Sequence, residues 1–142
     1  MRGRLPGLFG VELLSVGNGA AETRMGVRDD FLAPNDFLHA GAIVTLADTT
    51  CGMGCLASLP EGAAGFTTAE LKVNFLRSTS GGDSLRCRAT LVHGGGRTQV
   101  WDATVARESD AKDLALFRCT QYLLPGDDVR TRGQVSWAEG GR

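Results

Sequence analysis

The sequence predicts an α+β fold in which a curved antiparallel β-sheet of about six strands wraps around one long central helix. Three observations carry this expectation. Residues 40–58, AGAIVTLADTTCGMGCLAS, run without proline and with a single charge, which at ~1.5 Å per residue makes a helix of about 28 Å. Around it lie short stretches rich in β-branched, aromatic and alternating apolar residues, two before and four after. The chain has 142 residues, enough for one core and few for a second domain. We therefore expect a single domain over residues 1–125 and a polar, Gly-rich tail over 126–142 that is loosely ordered around its lone Trp137.

Taken in order, GVELLSVGNGAAETRMGV holds two extended stretches about the turn-rich VGNG, which suits a hairpin. RDDFLAPND is loop-like, with Asn35 or Asp36 placed to cap the helix. Within the helix, Ile43, Leu46, Ala47, Thr50, Met53 and Ala57 form one stripe, and Gly41, Val44, Thr45, Asp48, Cys51, Gly52 and Cys55 the other side. Neither side is charged like a solvent face, so burial nearly all round is expected, with the glycines letting another backbone or a ligand come close. LPEGAAG ends the helix. FTTAELKVNFLRS, DSLRCRATLVHG, RTQVWDATVARE and LALFRCTQYLL, joined by TSGGD, GGG and SDAKD, then read as a four-strand antiparallel meander.

Composition narrows the function. A formal net charge of −1 gives no basic field for nucleic acid or anionic lipid, so neither partner is expected. The start has two arginines but no signal-length apolar run, and nowhere are there roughly 18 consecutive apolar residues; the expected location is the cytoplasm. The cysteines at 51, 55, 87 and 119 lack paired metal-ligand spacing and read as buried thiols, and His39 and His93, the only histidines, complete no ligand set. No metal and no cofactor are expected. The absence of G-x-S-x-G disfavours a Ser-His-Asp hydrolase.

The chemistry centres on Asp48. An ionised carboxylate in a dry interior costs several kcal/mol unless paired, and no Lys or Arg lies within a helical turn of it. It reads as a base or nucleophile; the other reading is a carboxylate satisfied by the hydroxyl of Thr45 or Thr49, or by a distant arginine. At the helix start, His39-Ala40-Gly41 leaves backbone N–H groups open where the macrodipole favours negative charge, a candidate oxyanion hole; the other reading is an ordinary helix entry with His39 as a surface or capping residue. Asp48 lies eight residues past Ala40, about 12 Å along the axis, whereas both groups must reach one carbonyl. A two-fold dimer with antiparallel helices would bring Asp48 of one subunit beside Ala40 of the other.

These residues carry a resemblance. LHAGAIVTLADTTCG is similar to the segment of hotdog-fold acyl-CoA thioesterases, of the phenylacetate-pathway (PaaI-like) and 4-hydroxybenzoyl-CoA types, in which H-G-G is followed after an apolar run by A-[DE]. AELKVNFLRSTSGGDSLRCRATLVHGGGRTQVWDATV resembles the family's following strands, so the likeness covers roughly residues 10 to 124. It implies a hotdog fold and metal-independent hydrolysis of a thioester at a subunit interface, with acyl-CoA as substrate and a homodimer or dimer of dimers as the assembly. The motif's acid falls on Asp48, as nucleophile or general base, its N–H donor on Ala40, and His39 and Gly41 hold that loop. Ala40 departs from the family's usual Gly. The position six before the histidine, often Asn or Gln, is Ala33, with Asn35 the nearest substitute. Thr68 aligns with a hydroxyl that some members use to orient water. Arg77 and the Gly94-Gly95-Gly96-Arg97-Thr98 turn resemble CoA contacts, with Arg77, Gly96, Arg97 and Thr98 as the binding residues. Two alternatives are a hotdog acyl-CoA dehydratase or hydratase, which needs a second acid or base, and a non-catalytic acyl-CoA sensor, which leaves Asp48 without a purpose.

Overall fold

Turn chemistry and hydrophobic alternation place nearly every element where the chain forms it. The computed structural model describes residues 1–126; the expectation about the tail, Trp137 included, otherwise lies outside the described residues. β1 (Glu12–Gly17) and β2 (Ala20–Gly26) make the opening hairpin, and α2 (Ala40–Ala57) is the long helix. β3 (Ala63–Phe75), β4 (Ser84–Gly94), β5 (Thr98–Arg107) and β6 (Asp113–Pro125) follow. A short helix, α1 (Leu5–Leu8), with Pro6 in its first turn, precedes the hairpin in the N-terminal segment.

The six strands form one antiparallel sheet in the order β1-β2-β4-β5-β6-β3. The four-strand meander is corrected here: β4, β5 and β6 are sequential neighbours, but β3 pairs with β6 and forms an edge. The helix is the reason. α2 packs against every strand of the sheet and delivers the chain to the β6 edge, so residues 76–83 return it to β4, beside β2.

Inward positions alternate as the sequence implied: Leu85, Cys87 and Ala89 on β4, Trp101, Ala103 and Val105 on β5, Phe117, Cys119 and Leu123 on β6. Against them α2 buries Ile43, Leu46, Ala47, Thr50 and Met53. Burial all round is achieved only from Thr50 to Cys55; Ala40, Gly41 and Ala57 are exposed, and Val44, Thr45, Asp48 and Thr49 are half-buried. All four cysteines are free and buried.

The helix glycines admit side chains rather than a backbone or ligand. A Cβ on Gly54 would lie 2.6 Å from the Trp101 ring, and one on Gly52 2.8 Å from Phe66. That indole cannot slide freely, because Trp101 Nε1 donates to Gln99 Oε1 (2.8 Å) and Gln99 Nε2 donates to Ser58 O (2.8 Å) at the helix end. Gly54→Ala gains about 1 kcal/mol of helix propensity but overpacks a fixed ring at ~1–3 kcal/mol or more. A net loss of about 1–2 kcal/mol is expected in urea denaturation; an unchanged midpoint would show that the ring moves aside.

Candidate active site

The helix start is set by the loop before it. Leu32 bridges to Leu38, Ala33 N–H donates to Phe37 O (2.7 Å), and Asp36 adopts φ 65°. Asn35 Oδ1 accepts from Phe37 N–H (3.3 Å), which keeps this exposed side chain within its own turn. Neither Asn35 nor Asp36 caps the helix. The cap is His39, whose Nδ1 accepts from Gly41 N–H at 2.8 Å, so the ring proton sits on Nε2. Gly41 permits this fold-back, since a Cβ there would lie 3.0 Å from Nδ1. Two further bonds fix the loop: His39 N–H to Phe31 O (3.0 Å) and Leu38 N–H to Thr79 O (2.8 Å).

This capping sorts the candidate donors. Gly41 N–H is spent on the His39 ring and Ala42 N–H on His39 O (3.0 Å). Ala40 N–H, at the first helical position, has no acceptor among the described residues, and there the helix dipole favours an anion. Ala40 lines a cavity of about 340 Å³ with Leu38, Ile43, Phe75, Arg77 and Thr79. Its walls are mostly apolar side chains and backbone, with one cation, the exposed Arg77, whose Nη1 donates to Asp113 O (2.7 Å), the side chain's one hydrogen bond among the described residues.

Asp48 sits further along the half-exposed side of α2. Thr45 does not satisfy it; that hydroxyl donates back to Gly41 O (2.9 Å). Among the described residues no arginine pairs with it either. The partner is Thr68 of β3, whose Oγ1 donates to Asp48 Oδ1 at 2.9 Å. A register shift between Thr68 and Glu70 marks a β-bulge at this point, the kind of irregularity that re-aims a side chain. Burial pushes the Asp48 carboxyl above its ordinary pKa, and the Thr68 hydrogen bond partly offsets that. A raised carboxylate is a stronger base at neutral pH.

Behind Thr68 stands a residue read only as part of a strand. Gln121 Oε1 lies 3.0 Å from Thr68 Oγ1, and its side chain is fully buried. The available signal was alternation: Phe117, Cys119, Gln121 and Leu123 share the inward register of β6, which makes Gln121 a polar group among core residues.

Within one chain the candidate residues fall into two sets. Phe75 pairs with Ala115 and Ala115 with Val105, whereas Thr67 pairs with Tyr122 and Tyr122 with Thr98. The two rows lie seven positions apart along β5, about 23 Å at ~3.3 Å per residue. The Ala40 cavity and Arg77 belong to the first end; Thr68 and the Gly96, Arg97, Thr98 turn belong to the second. That turn is a tight one, with Gly95 N–H donating to Thr98 O (2.9 Å) and Arg97 O accepting from Leu123 N–H (2.8 Å). A single chain thus brings Asp48 to Thr68, and Ala40 to Arg77, but does not join Arg77 to residues 96–98.

Comparison with known proteins agrees with this architecture. Residues 35–113 match the Thioesterase superfamily model. The 1,4-dihydroxy-2-naphthoyl-CoA hydrolase of Listeria monocytogenes is 32% identical over 112 residues, covering 79% of this chain and 89% of that one. The Escherichia coli acyl-coenzyme A thioesterase PaaI is 30% identical over 118 residues, covering 83% and 81%. The solved structure of E. coli PaaI superposes with a TM-score of 0.79 at 26% identity, covering 85% of this chain and 84% of that one. A Streptococcus mutans protein solved with acetyl-CoA bound superposes at 0.75 with 26% identity, covering 81% and 89%. With its six-stranded sheet, single long helix and these relatives, the chain belongs to the thioesterase superfamily and has the hotdog fold.

Proposed function

We propose that the protein hydrolyses an acyl-CoA thioester to a free carboxylic acid and CoA at a site shared by two subunits. The observation that carries the proposal is the pair of incomplete sites on one helix: an unused N–H at Ala40 and, about 12 Å further on, a carboxylate at Asp48 held by Thr68. The thioester carbonyl oxygen takes the Ala40 N–H. Asp48 of the other subunit then acts in one of two ways. As general base it removes a proton from water while the water oxygen bonds to the carbonyl carbon; as nucleophile its own oxygen forms that bond, giving an acyl anhydride that water hydrolyses. Either way the tetrahedral adduct collapses by breaking the C–S bond, and the CoA thiolate leaves and takes up a proton. His39 and Gly41 hold the Ala40 donor in place. The chemistry is supplied by these residues and water, without a metal or cofactor.

Two features support a second copy. β3, 13 residues long, is paired on one side only among the described residues, and an open edge of that length invites another strand. On its helix-facing registers Leu71 and Phe75 are 40% and 49% exposed, alongside half-buried Val44 and Thr45 of α2. An antiparallel copy would cover this apolar surface and set each Ala40 cavity, with its Arg77, near the other chain's Asp48 and Gly96-Arg97-Thr98 turn. Those cationic and glycine-turn groups suit CoA phosphates, and the S. mutans relative holds acetyl-CoA. Asn35 lies outside the cavity lining, so its place is at most the rim.

The test is thiol release from a panel of aryl, short-chain and long-chain acyl-CoAs. At least one is expected to reach a kcat/KM on the order of 10⁴ M⁻¹s⁻¹ or more. Binding without turnover across the panel would favour the sensor, and water addition to an enoyl-CoA the hydratase.

A further inference from the structure

The hydroxyl of Thr68 faces two acceptors with one proton. Asp48 Oδ1 lies at 2.9 Å and Gln121 Oε1 at 3.0 Å. The Gln121 amide meets Thr68 with its oxygen, while its Nε2 donates to Cys119 Sγ at 3.3 Å. A buried amide oxygen with no other donor among the described residues is a costly arrangement for a purely structural group. It becomes useful if Asp48 changes protonation state.

We propose that Gln121 is a positioning residue that lets Thr68 serve Asp48 in both its charged and its neutral forms. While Asp48 is ionised, Thr68 donates to Oδ1 and the Gln121 oxygen waits unpaired. When Asp48 carries a proton, that proton is donated to Thr68 Oγ1, and the hydroxyl rotates to donate to Gln121 Oε1. The hydroxyl acts as a rotor between the carboxyl and the amide, and no bond other than hydrogen bonds changes. Without Gln121 only the ionised form keeps a full set of partners, so the neutral form of Asp48 is disfavoured.

Among the described residues the surroundings of Asp48 hold few titratable groups. On α2 the titratable neighbour facing Asp48 is Cys51, kept as a thiol by its contact with Cys119 and by burial; on β6 it is Cys119 itself. On β3, Glu70 and Lys72 stand at the opposite registers, where Glu70 Oε1 accepts from Thr120 and Lys72 pairs in register with the exposed Arg118. The inference deepens the proposed chemistry by assigning a role behind Asp48, but its test needs no substrate.

The experiment is an NMR pH titration of the Asp48 carboxyl carbon in the whole protein, with Asp48→Asn identifying the signal. In Gln121→Met, and in Gln121→Leu should the first variant fold poorly, the midpoint is expected to move to lower pH. Gln121→Glu, which keeps an acceptor at the same place, is expected not to lower it. In a Thr68→Val background the Gln121→Met shift is expected to vanish, because the amide acts only through the hydroxyl. An unchanged or raised midpoint in Gln121→Met, or the same downward shift with and without Thr68, would overturn the proposal. Because the titration is read without turnover, it is separable from failure of the thioesterase reading.

Discussion

Asp48→Asn is expected to lower kcat by about 10²–10⁴-fold, the usual worth of a positioned acid or base, while leaving the fold and CoA affinity intact. The amide has the carboxylate's shape and still accepts from Thr68 through its carbonyl oxygen. It can neither take a proton from water nor attack a carbonyl. Stability should move the other way. Burial raises the Asp48 pKa in the folded state, so the native protein binds more protons than the unfolded chain between the ordinary carboxylate value and the raised one. Stability therefore falls as pH rises through that window, and above it the ionised Asp48 carries a standing penalty. Asn removes the penalty, so the variant should be at least as stable as the parent near neutral pH, with the difference shrinking on acidification. Urea denaturation at several pH values checks this. A variant that loses activity and stability together would make Asp48 a structural residue.

Ala40→Pro is expected to remove the proposed oxyanion donor without disturbing the helix. Proline is favoured at the first helical position, where the missing N–H has no helical partner. The preceding residue must be extended, and His39 already is, at φ −64° and ψ 134°. The loss expected in kcat is about 10²–10³-fold, as for other single oxyanion donors, with thermal stability held or raised. Ala40→Gly, which keeps the N–H, should retain most activity. Full activity in the proline variant would move the carbonyl-binding role to another group.

Much of this was legible in the sequence for physical reasons, and the rest was not. The long helix was clear because 18 residues with one charge and no proline leave few other structures, and Asp48 stood out as that one charge. The place of β3 was not clear. Local turn chemistry allows residues 76–83 to close a hairpin to β4, and only the path of α2 over the sheet decides that β3 pairs with β6 instead. Of the capping candidates, Asn35 and Asp36 are passed over because the left-handed turn at Asp36 carries the loop past both, and His39 takes the position. Thr68 was singled out through family likeness alone; that it reaches Asp48 from another element is a tertiary fact. Gln121 is a further step removed, since its alternation shows that it points inward but not toward what. Arg77 and residues 96–98, grouped by the same likeness, stand at opposite ends of one chain's sheet, so a single chain does not bring them together.

The central claim is that each site takes Ala40 from one subunit and Asp48 from the other, and mixing two inactive variants tests it directly. When Asp48→Asn and Ala40→Pro chains are co-refolded in equal amounts, half the dimers are mixed, and each mixed dimer contains one site with both groups intact. Activity is expected to return to about a quarter of the wild-type level per chain. Activity that stays at the average of the two inactive parents, with mixed dimers shown to be present, would contradict a shared site.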